Sequence, residues 1–272
     1  MNRVEQAFAG AKERGVGVLI PYVCPGDPAA DTVERLVPAL ERAGAGVIEI
    51  GVPYSDPIAD GPVIAAAMHR ALMAGTTPEG VFEQVARVRG QVSCGLVAMV
   101  SVSLVHAAGI EAFIGRAKDA GFDGFIFSDA PLEESGELTA AAADAGLTCT
   151  LLVSPTTPKD RAERIARACT GFVYMLARSG ITGERSDAPD VADRVRALRS
   201  ATDTPIACGF GISSADHVRA VVNEADGAIV GSALVRRLSE ASFRGEDYVR
   251  AGEAFTAELA TGLSGHRDAP HA

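Results

Sequence analysis

The chain has 272 residues, a formal net charge of −10 and a pI of about 5.0, which argues against a nucleic-acid-binding surface. No apolar run of 18 residues occurs, and the amphipathic start MNRVEQAFAGAKERG lacks the apolar core of a signal peptide. We therefore expect an acidic cytoplasmic protein, long enough for one large α/β domain or two small ones.

Eight short apolar runs recur along the chain, each rich in Val, Ile or Phe and ending near Gly, Ser, Pro or Asp. Their length and composition predict strands that are buried on both faces. The runs span 16–23, 46–52, 95–102, 123–129, 148–154, 171–177, 205–210 and 226–232. Segments with helical spacing lie between them, over 31–44, 62–74, 78–90, 111–121, 133–146, 158–171, 190–200 and 215–225.

This alternation predicts the fold. Repeated strand–helix units give a parallel sheet with right-handed crossovers, and eight units in about 250 residues are typical of a closed (β/α)8 TIM barrel. We expect a single domain over 1–262 with an extra N-terminal helix, and a disordered tail over 263–272. The alternative is an open doubly wound sheet, but such sheets usually have fewer strands, and no Gly-x-Gly-x-x-Gly turn follows the first strand.

Cysteines and histidines do not form recognisable sites. The five cysteines contain no Cys-x-x-Cys pair, so neither a disulfide framework nor a zinc site is indicated. We expect buried, reduced side chains at Cys24, Cys94, Cys149, Cys169 and Cys208. The histidines with no ligand spacing, which we expect at the surface, are His69, His106 and His217. No metal site is predicted.

The second predicted strand contains a carboxylate, in the stretch IEIGVPYSDPIADGP at 48–62. Because side chains alternate along a strand, Val47, Glu49 and Gly51 share one face. Glu49 lies near the carboxyl end, where barrel active sites are built. Partial desolvation there would raise its pKa towards neutrality, which suits proton transfer. The alternative is a Glu paired with a cation or facing a helix edge, but no Lys or Arg occurs from this strand to His69.

Two further carboxylates follow in the loop at the same end of the predicted barrel. Asp60 precedes Gly61 and Pro62, and its alternative role is the N-cap of the helix that begins there. Asp56 precedes a proline, and its alternative role is an Asx-type turn.

Glycine-rich turns follow the last two predicted strands, in GFGISSADHV (209–218) and VGSALVRRL (230–238). Glycines let backbone N–H groups approach an anion, and loops after strands seven and eight of barrels often bind phosphate. The alternative is two ordinary turns. Ser213 with Asp216 resembles a capping box, and SGITGERS (179–186) is a polar loop of the lid type.

The motifs resemble those of the tryptophan synthase alpha subunit family, from about Gly17 to Leu238. They are IEIGVPYSDPIADGP, APLEES, SPTTPKDR, GFVYMLARSGITG, PIACGFGISS and ADGAIVGSALV. The resemblance implies a barrel that cleaves indole-3-glycerol phosphate to indole and glyceraldehyde 3-phosphate. It implies no cofactor in this chain, and a pyridoxal-phosphate beta subunit as partner in an alpha2beta2 heterotetramer.

Site roles also follow from the resemblance. Glu49 would perform acid–base catalysis, and Asp60 would accept the indole N–H and stabilise its charge. Phosphate contacts would come from Gly183, Gly211, Gly231 and Ser232. The substrate pocket would include Tyr22, Tyr174 and Phe210, with Thr182 in a closing loop that approaches Asp60. The beta subunit would face Pro53, Asp56 and Pro57.

Four regions of the sequence depart from the family pattern. Ser101 and Ser103 stand where a Tyr and an Asn are usual, Ala65 replaces a usual Gln, and the motifs CPGDP and SDAP replace TAGDP and PDLP. These departures leave two alternatives open: a stand-alone indole-releasing lyase, and a weakly catalytic activator of a beta subunit. An unrelated sugar-phosphate isomerase or epimerase would need a different acid–base set.

Overall fold

The computed structural model describes residues 1–57, 60–177, 191–209 and 211–264. The strands are β1 (Val18–Val23), β2 (Val47–Gly51), β3 (Gly95–Val100), β4 (Gly124–Phe127), β5 (Thr148–Thr150), β6 (Leu152–Val153), β7 (Val173–Leu176), β8 (Ile206–Gly209) and β9 (Gly227–Val230). The helices are α1 (Arg3–Glu13), α2 (Thr32–Arg42), α3 (Pro62–Met73), α4 (Pro78–Arg89), α5 (Val102–Ala108), α6 (Ile110–Ala120), α7 (Ser135–Asp144), α8 (Lys159–Ala168), α9 (Ala192–Arg199), α10 (Ala215–Val222), α11 (Ser232–Phe243) and α12 (Tyr248–Ala260).

The strands form a parallel barrel in the order β5-β4-β3-β2-β1-β9-β8-β7-β6. β5 pairs with β4 and β6 pairs with β7, so the continuous run from Thr148 to Val153 joins the two edges of the sheet. The predicted (β/α)8 barrel is confirmed, and the open doubly wound alternative is wrong. The single fifth strand of the prediction is divided at Leu151, because its amide donates to Cys169 Sγ at 3.2 Å.

The barrel has an inner and an outer core. Val47 belongs to the inner cluster, together with Ile20, Val97 and Ile126. Ile48 and Ile50, one residue out of phase, belong to the outer cluster that packs against the helices. Strand periodicity therefore assigned the two faces of β2 correctly, and the same periodicity directs Glu49 inward.

Helix α1 closes the amino end of the barrel. Asn2 caps it by accepting from the amides of Val4 and Glu5. Val4 and Phe8 are buried in the inner cluster, and the Phe8 ring lies 5.6 Å from the ring of Phe172. The predicted N-terminal helix is thus part of the core.

A buried carboxylate at this amino end, Asp123, connects distant parts of the chain. It accepts hydrogen bonds from Arg3 at 3.3 Å, from Arg89 at 3.0 Å and from the amide of Leu96 at 2.9 Å. Arg89 is itself only 11% exposed and also donates to two backbone carbonyls. Together, these contacts fix the positions of α1, α4 and β3 relative to β4, one element by each contact.

Thr77, directly before α4, caps this helix by accepting from the amide of Gly80 at 3.1 Å. The prediction for the cysteines is confirmed. The five cysteines are free and buried.

Helix α5 was not predicted. Leu263 packs against the outer cluster, and residues 265–272 of the predicted tail lie outside the described residues. No helix in the described part of the chain is long and apolar enough to cross a membrane.

Candidate active site

A cavity of about 330 Å³ opens at the carboxyl end of the barrel. Its walls come from strands, from the loops that follow them and from the first turns of α3 and α11. Residues from the sequence prediction that line it are Tyr22, Glu49, Asp60, Tyr174, Gly211, Gly231 and Ser232. The structure therefore brings the predicted acids and the predicted glycines to one cavity.

Glu49 is 1% exposed, and its backbone lies opposite Tyr22 of β1 and Val97 of β3. Its Oε2 atom is buried without a hydrogen-bond partner among the residues that the structure describes. Burial, with a smaller contribution from the charge of Asp60, raises the pKa of Glu49 from 4.5 to about 8. The alternative of a Glu paired with a cation finds no support in these contacts. Glu49 can hold or release a proton near neutral pH.

Asp60 lies beyond β2, in the loop that leads to α3. Gly61 occupies the N-cap position of α3 and the helix receives no side-chain cap, so the capping role considered for Asp60 is wrong. Burial raises the pKa of Asp60 from 3.8 to about 6. A hydrogen bond from Tyr54 opposes this effect, and the charge of Asp129 adds to it.

Two tyrosine rings pack into the cavity wall because glycines face them. A Cβ on Gly209 would lie 2.6 Å from the Tyr174 hydroxyl, and a Cβ on Gly51 would collide with the Tyr22 ring. The Tyr22 hydroxyl is buried, and its hydrogen-bonding neighbour is the thiol of Cys24, a weak partner. Burial, with smaller contributions from nearby acids, raises the pKa values of both tyrosines well above 10, so both rings stay neutral.

The part of the cavity wall that follows β8 and β9 suits an anion. Gly231 is the N-cap of α11 and Ser232 is its first residue, so the unpaired amides of the first turn begin at the cavity. Gly211 follows β8 and has a φ of 80°, a conformation that favours glycine. A helix N-terminus and an adjacent glycine turn are the elements of a phosphate site.

Three predicted site residues lie outside the described residues: Thr182, Gly183 and Phe210. The lid-type loop at 179–186 lies there as well. In the loop predicted to face a partner, Asp56 is exposed and Pro57 is half-buried, whereas Pro53 is buried within the chain.

Apolar lining residues were missed by the sequence analysis. Ile64, Met99, Leu152 and Ile229 contact the cavity. Met99 and Ile229 were identifiable in principle, since each lies two residues beyond an inner-facing position of its strand. Arg161 lines the rim and pairs with Glu133.

The departure at Ser101 forms a local polar cluster. Ser101 caps the short helix α5, and its hydroxyl donates to Asp129 at 2.6 Å. The amide of Val102 donates to the same carboxylate at 2.8 Å. Asp129 therefore ties the loop after β3 to the loop after β4, beside Asp60.

The sequence analysis was wrong about His217. It is 7% exposed, whereas His69 and His106 are exposed as predicted. Ser214 caps α10 by accepting from the amide of His217 at 3.3 Å, so the predicted capping box of Ser213 and Asp216 is also wrong. The spacing of a serine and an acid predicted a cap near this position but did not show whether Ser213 or Ser214 is the N-cap of α10.

The fold and the cavity define a class. They describe a (β/α)8 barrel with two acids and a glycine-capped helix N-terminus at one cavity. Within 1–57, 60–177, 191–209 and 211–264, no group of three or more His, Cys, Asp or Glu side chains is placed to hold a metal ion.

Comparison with known proteins finds close relatives of the chain. The profile of the family described as "Tryptophan synthase alpha chain" matches residues 8–264. A tryptophan synthase alpha chain from Synechococcus sp. (strain CC9902) is 45% identical over 237 residues, which cover 86% of this chain and 88% of the relative. One from Rippkaea orientalis is 41% identical over 265 residues, covering 97% and 98%. The chain belongs to the tryptophan synthase alpha chain family.

Solved structures agree with this assignment. Tryptophan synthase subunit alpha from Legionella pneumophila str. Paris is 30% identical, with a TM-score of 0.87 over 97% of this chain and 98% of that one. A chain of Mycobacterium tuberculosis tryptophan synthase is 32% identical, with a TM-score of 0.87 over 96% and 98%. The likeness in fold extends over nearly the whole molecule.

Proposed function

We propose that Glu49 and Asp60 carry out the reaction of this family in the chain: retro-aldol cleavage of indole-3-glycerol phosphate to indole and glyceraldehyde 3-phosphate. The observation that carries this assignment is a buried Glu49 carboxyl with an oxygen that has no partner among the described residues, in a cavity that is also lined by a glycine-capped helix N-terminus. The chain is thus a carbon–carbon lyase, and its two acids have distinct tasks.

Glu49 supplies the proton transfers. Its raised pKa keeps the carboxyl protonated at neutral pH, ready to donate to C3 of the indole. The carboxylate formed then accepts the proton of the glycerol hydroxyl beside the scissile bond. As that hydroxyl becomes a carbonyl, the carbon–carbon bond breaks and its electron pair returns to the indole ring. One proton is given and one is recovered, so Glu49 ends as it began.

Asp60 stabilises the intermediate. Protonation at C3 places a positive charge on the indole nitrogen, and a carboxylate that accepts the N–H lowers the energy of that cation. With its pKa at about 6, Asp60 is mostly ionised at neutral pH, whereas Glu49 is mostly protonated. The two environments separate the pKa values of the two acids, which supports the assignment of one as acid and the other as anion.

The phosphate is held remotely from the reacting bond. The amides at Gly211, Gly231 and Ser232 supply donors without a charged side chain, and the positive end of α11 attracts the anion. This binding energy holds the indole end between Glu49 and Asp60. We assign Thr182, Gly183 and Phe210 to the same site by their positions in the family motifs.

The partner of the chain is a tryptophan synthase beta subunit, in an alpha2beta2 assembly. We infer from their positions in the family motif that Pro53, Asp56 and Pro57 belong to the loop that faces it; Asp56 and Pro57 have exposed surface, whereas Pro53 is buried. The proton balance closes on Glu49 alone, so the cleavage needs no cofactor in this chain, and pyridoxal phosphate belongs to the beta subunit. Five buried free cysteines support a reduced, cytoplasmic location.

Steady-state indole release from indole-3-glycerol phosphate, with and without a beta subunit, tests the proposal. We expect turnover that the beta subunit stimulates strongly. High turnover that the beta subunit does not change would instead identify a stand-alone indole-releasing lyase. Absence of turnover in both conditions would contradict the assignment of Glu49 and Asp60 as a catalytic pair.

A further inference from the structure

His217 lies on α10, outside the cavity, yet its side chain contacts the turn that lines it. Its Nδ1 atom is 3.2 Å from the carbonyl oxygen of Gly211 and 3.5 Å from the hydroxyl of Ser213. A carbonyl oxygen only accepts hydrogen bonds, so Nδ1 carries the proton and donates to Gly211. The side chain is buried, and its backbone amide is fixed by Ser214.

The orientation of this carbonyl determines the direction of a neighbouring amide. The peptide between Gly211 and Ile212 is planar and trans, so its C=O and N–H point in opposite directions. Because His217 draws the carbonyl towards α10, the N–H of Ile212 is directed to the other side. Both Gly211 and Ile212 line the cavity. Gly211 has a φ of 80°, and because glycine adopts positive and negative φ with similar ease, its own backbone does not hold the peptide in this orientation.

We propose that His217 is a positioning residue for phosphate binding: it holds the Gly211 turn so that backbone amides face the phosphate of the substrate. The inference rests on the proposed function, because it takes the glycine-lined wall to be the phosphate site. His217 touches neither the reacting bond nor Glu49. Its loss therefore weakens binding of the phosphorylated end and leaves the chemical step largely intact.

The first test uses His217→Leu, which fills the site but cannot donate, and His217→Asn, whose amide nitrogen can replace Nδ1. Loss of one hydrogen bond of this kind predicts a KM for indole-3-glycerol phosphate raised about three- to tenfold in the Leu variant, with kcat nearly unchanged. The Asn variant should restore most of the wild-type KM. His69→Leu, at an exposed histidine on α3, is the matched control and should leave KM unchanged.

A substrate without the phosphate separates positioning from a general structural role. For indoleglycerol, the Leu variant and the wild type should have equal kcat/KM. If His217→Leu instead lowers kcat for both substrates in parallel, or if His217→Asn folds but does not restore KM, the proposal is overturned. Should the Leu variant not fold, His217→Ala makes the same comparison.

Inorganic phosphate provides a test that does not depend on catalysis. Phosphate should raise the thermal unfolding midpoint of the wild type and of His217→Asn, and raise that of His217→Leu clearly less. An equal rise in all three proteins, or none in the wild type, would overturn the role of His217. A wild type that is stabilised by phosphate but releases no indole would contradict the proposed function and leave the positioning role supported.

Discussion

Two buried carboxylates lie at opposite ends of the barrel and have opposite surroundings. Asp123, at the amino end, is 5% exposed and accepts from two arginines and a backbone amide. Glu49, at the carboxyl end, is 1% exposed and keeps an oxygen without a partner in the described residues. Burial alone therefore does not distinguish a structural acid from a catalytic one.

The difference lies in what compensates the charge. Around Asp123 two guanidinium groups and an amide replace the water lost on folding, and these contacts hold α1, α4 and the strands together. Around Glu49 no residue in the described part of the chain donates to Oε2, so burial favours the protonated form and raises the pKa. At the amino end, the buried carboxylate of Asp123 stabilises the fold through its contacts. At the carboxyl end, Glu49 has no such contacts among the described residues, which suits the proton transfer that we propose for it.

The largest effect is expected for Glu49→Gln. Removing the proton-transferring group should lower kcat for indole release by at least about 10²–10⁴-fold while the fold is retained. Indole release and circular dichroism measure the two consequences. Glu111→Gln, at an exposed position on α6, is the matched control and should retain full activity. Retained turnover in Glu49→Gln would remove Glu49 from its role.

The pH dependence of stability should also depend on Glu49. Its pKa is raised on folding from 4.5 to about 8, so between these pH values the unfolded chain has lost a proton that the folded chain keeps. The contribution of Glu49 to the free energy of unfolding is fully present below pH 4.5 and is lost as pH rises through 8, at about 1.4 kcal/mol per pH unit. The free energy of unfolding, measured with urea at several pH values in this range, should therefore fall less steeply with pH in Glu49→Gln than in the wild type. Equal slopes would contradict the raised pKa.

Asp123→Ala should act on stability and not on chemistry. It leaves the guanidinium of Arg89 buried without its carboxylate, which predicts a loss of about 3–5 kcal/mol in the free energy of unfolding. The folded fraction should keep the wild-type kcat, because the site is at the other end of the barrel. Asp119→Ala, at an exposed position on α6, should cost far less. A large fall in kcat for Asp123→Ala without a loss of stability would contradict the claim that the amino end of the barrel has a purely structural role.

The smallest effect is expected for Tyr22→Phe. The mutation removes a buried hydroxyl whose hydrogen-bonding neighbour is only the weak Cys24 thiol, so it should raise the free energy of unfolding by at most about 1 kcal/mol. Chemical denaturation measures this change, and Tyr248→Phe is the control, since that hydroxyl donates to Asp31 and its loss should destabilise. Destabilisation by Tyr22→Phe would mean that the hydroxyl is satisfied in solution.

Local periodicity predicted the elements that depend on neighbouring residues. The alternation in β2 identified the inward face of Glu49, and the glycine turns at Gly211 and Gly231 line the same cavity as the two acids. The contacts of Asp123 with Arg3 and Arg89 span 120 and 34 residues, so no local pattern predicts them. His217 was misassigned because a single histidine on a helix carries no local signal of burial; its exposure depends on how α10 packs against β9 and α12. The division of the fifth strand depends on Cys169, which lies 18 residues from Leu151.

The most direct test is a titration of the Glu49 carboxyl by ¹³C NMR, with the spectrum of Glu49→Gln used to assign the resonance. The account predicts that this carboxyl stays protonated at neutral pH and titrates near pH 8. If Glu49 instead titrates near its ordinary pKa of 4.5, the carboxyl is ionised at neutral pH, and this result would contradict its role as the proton donor.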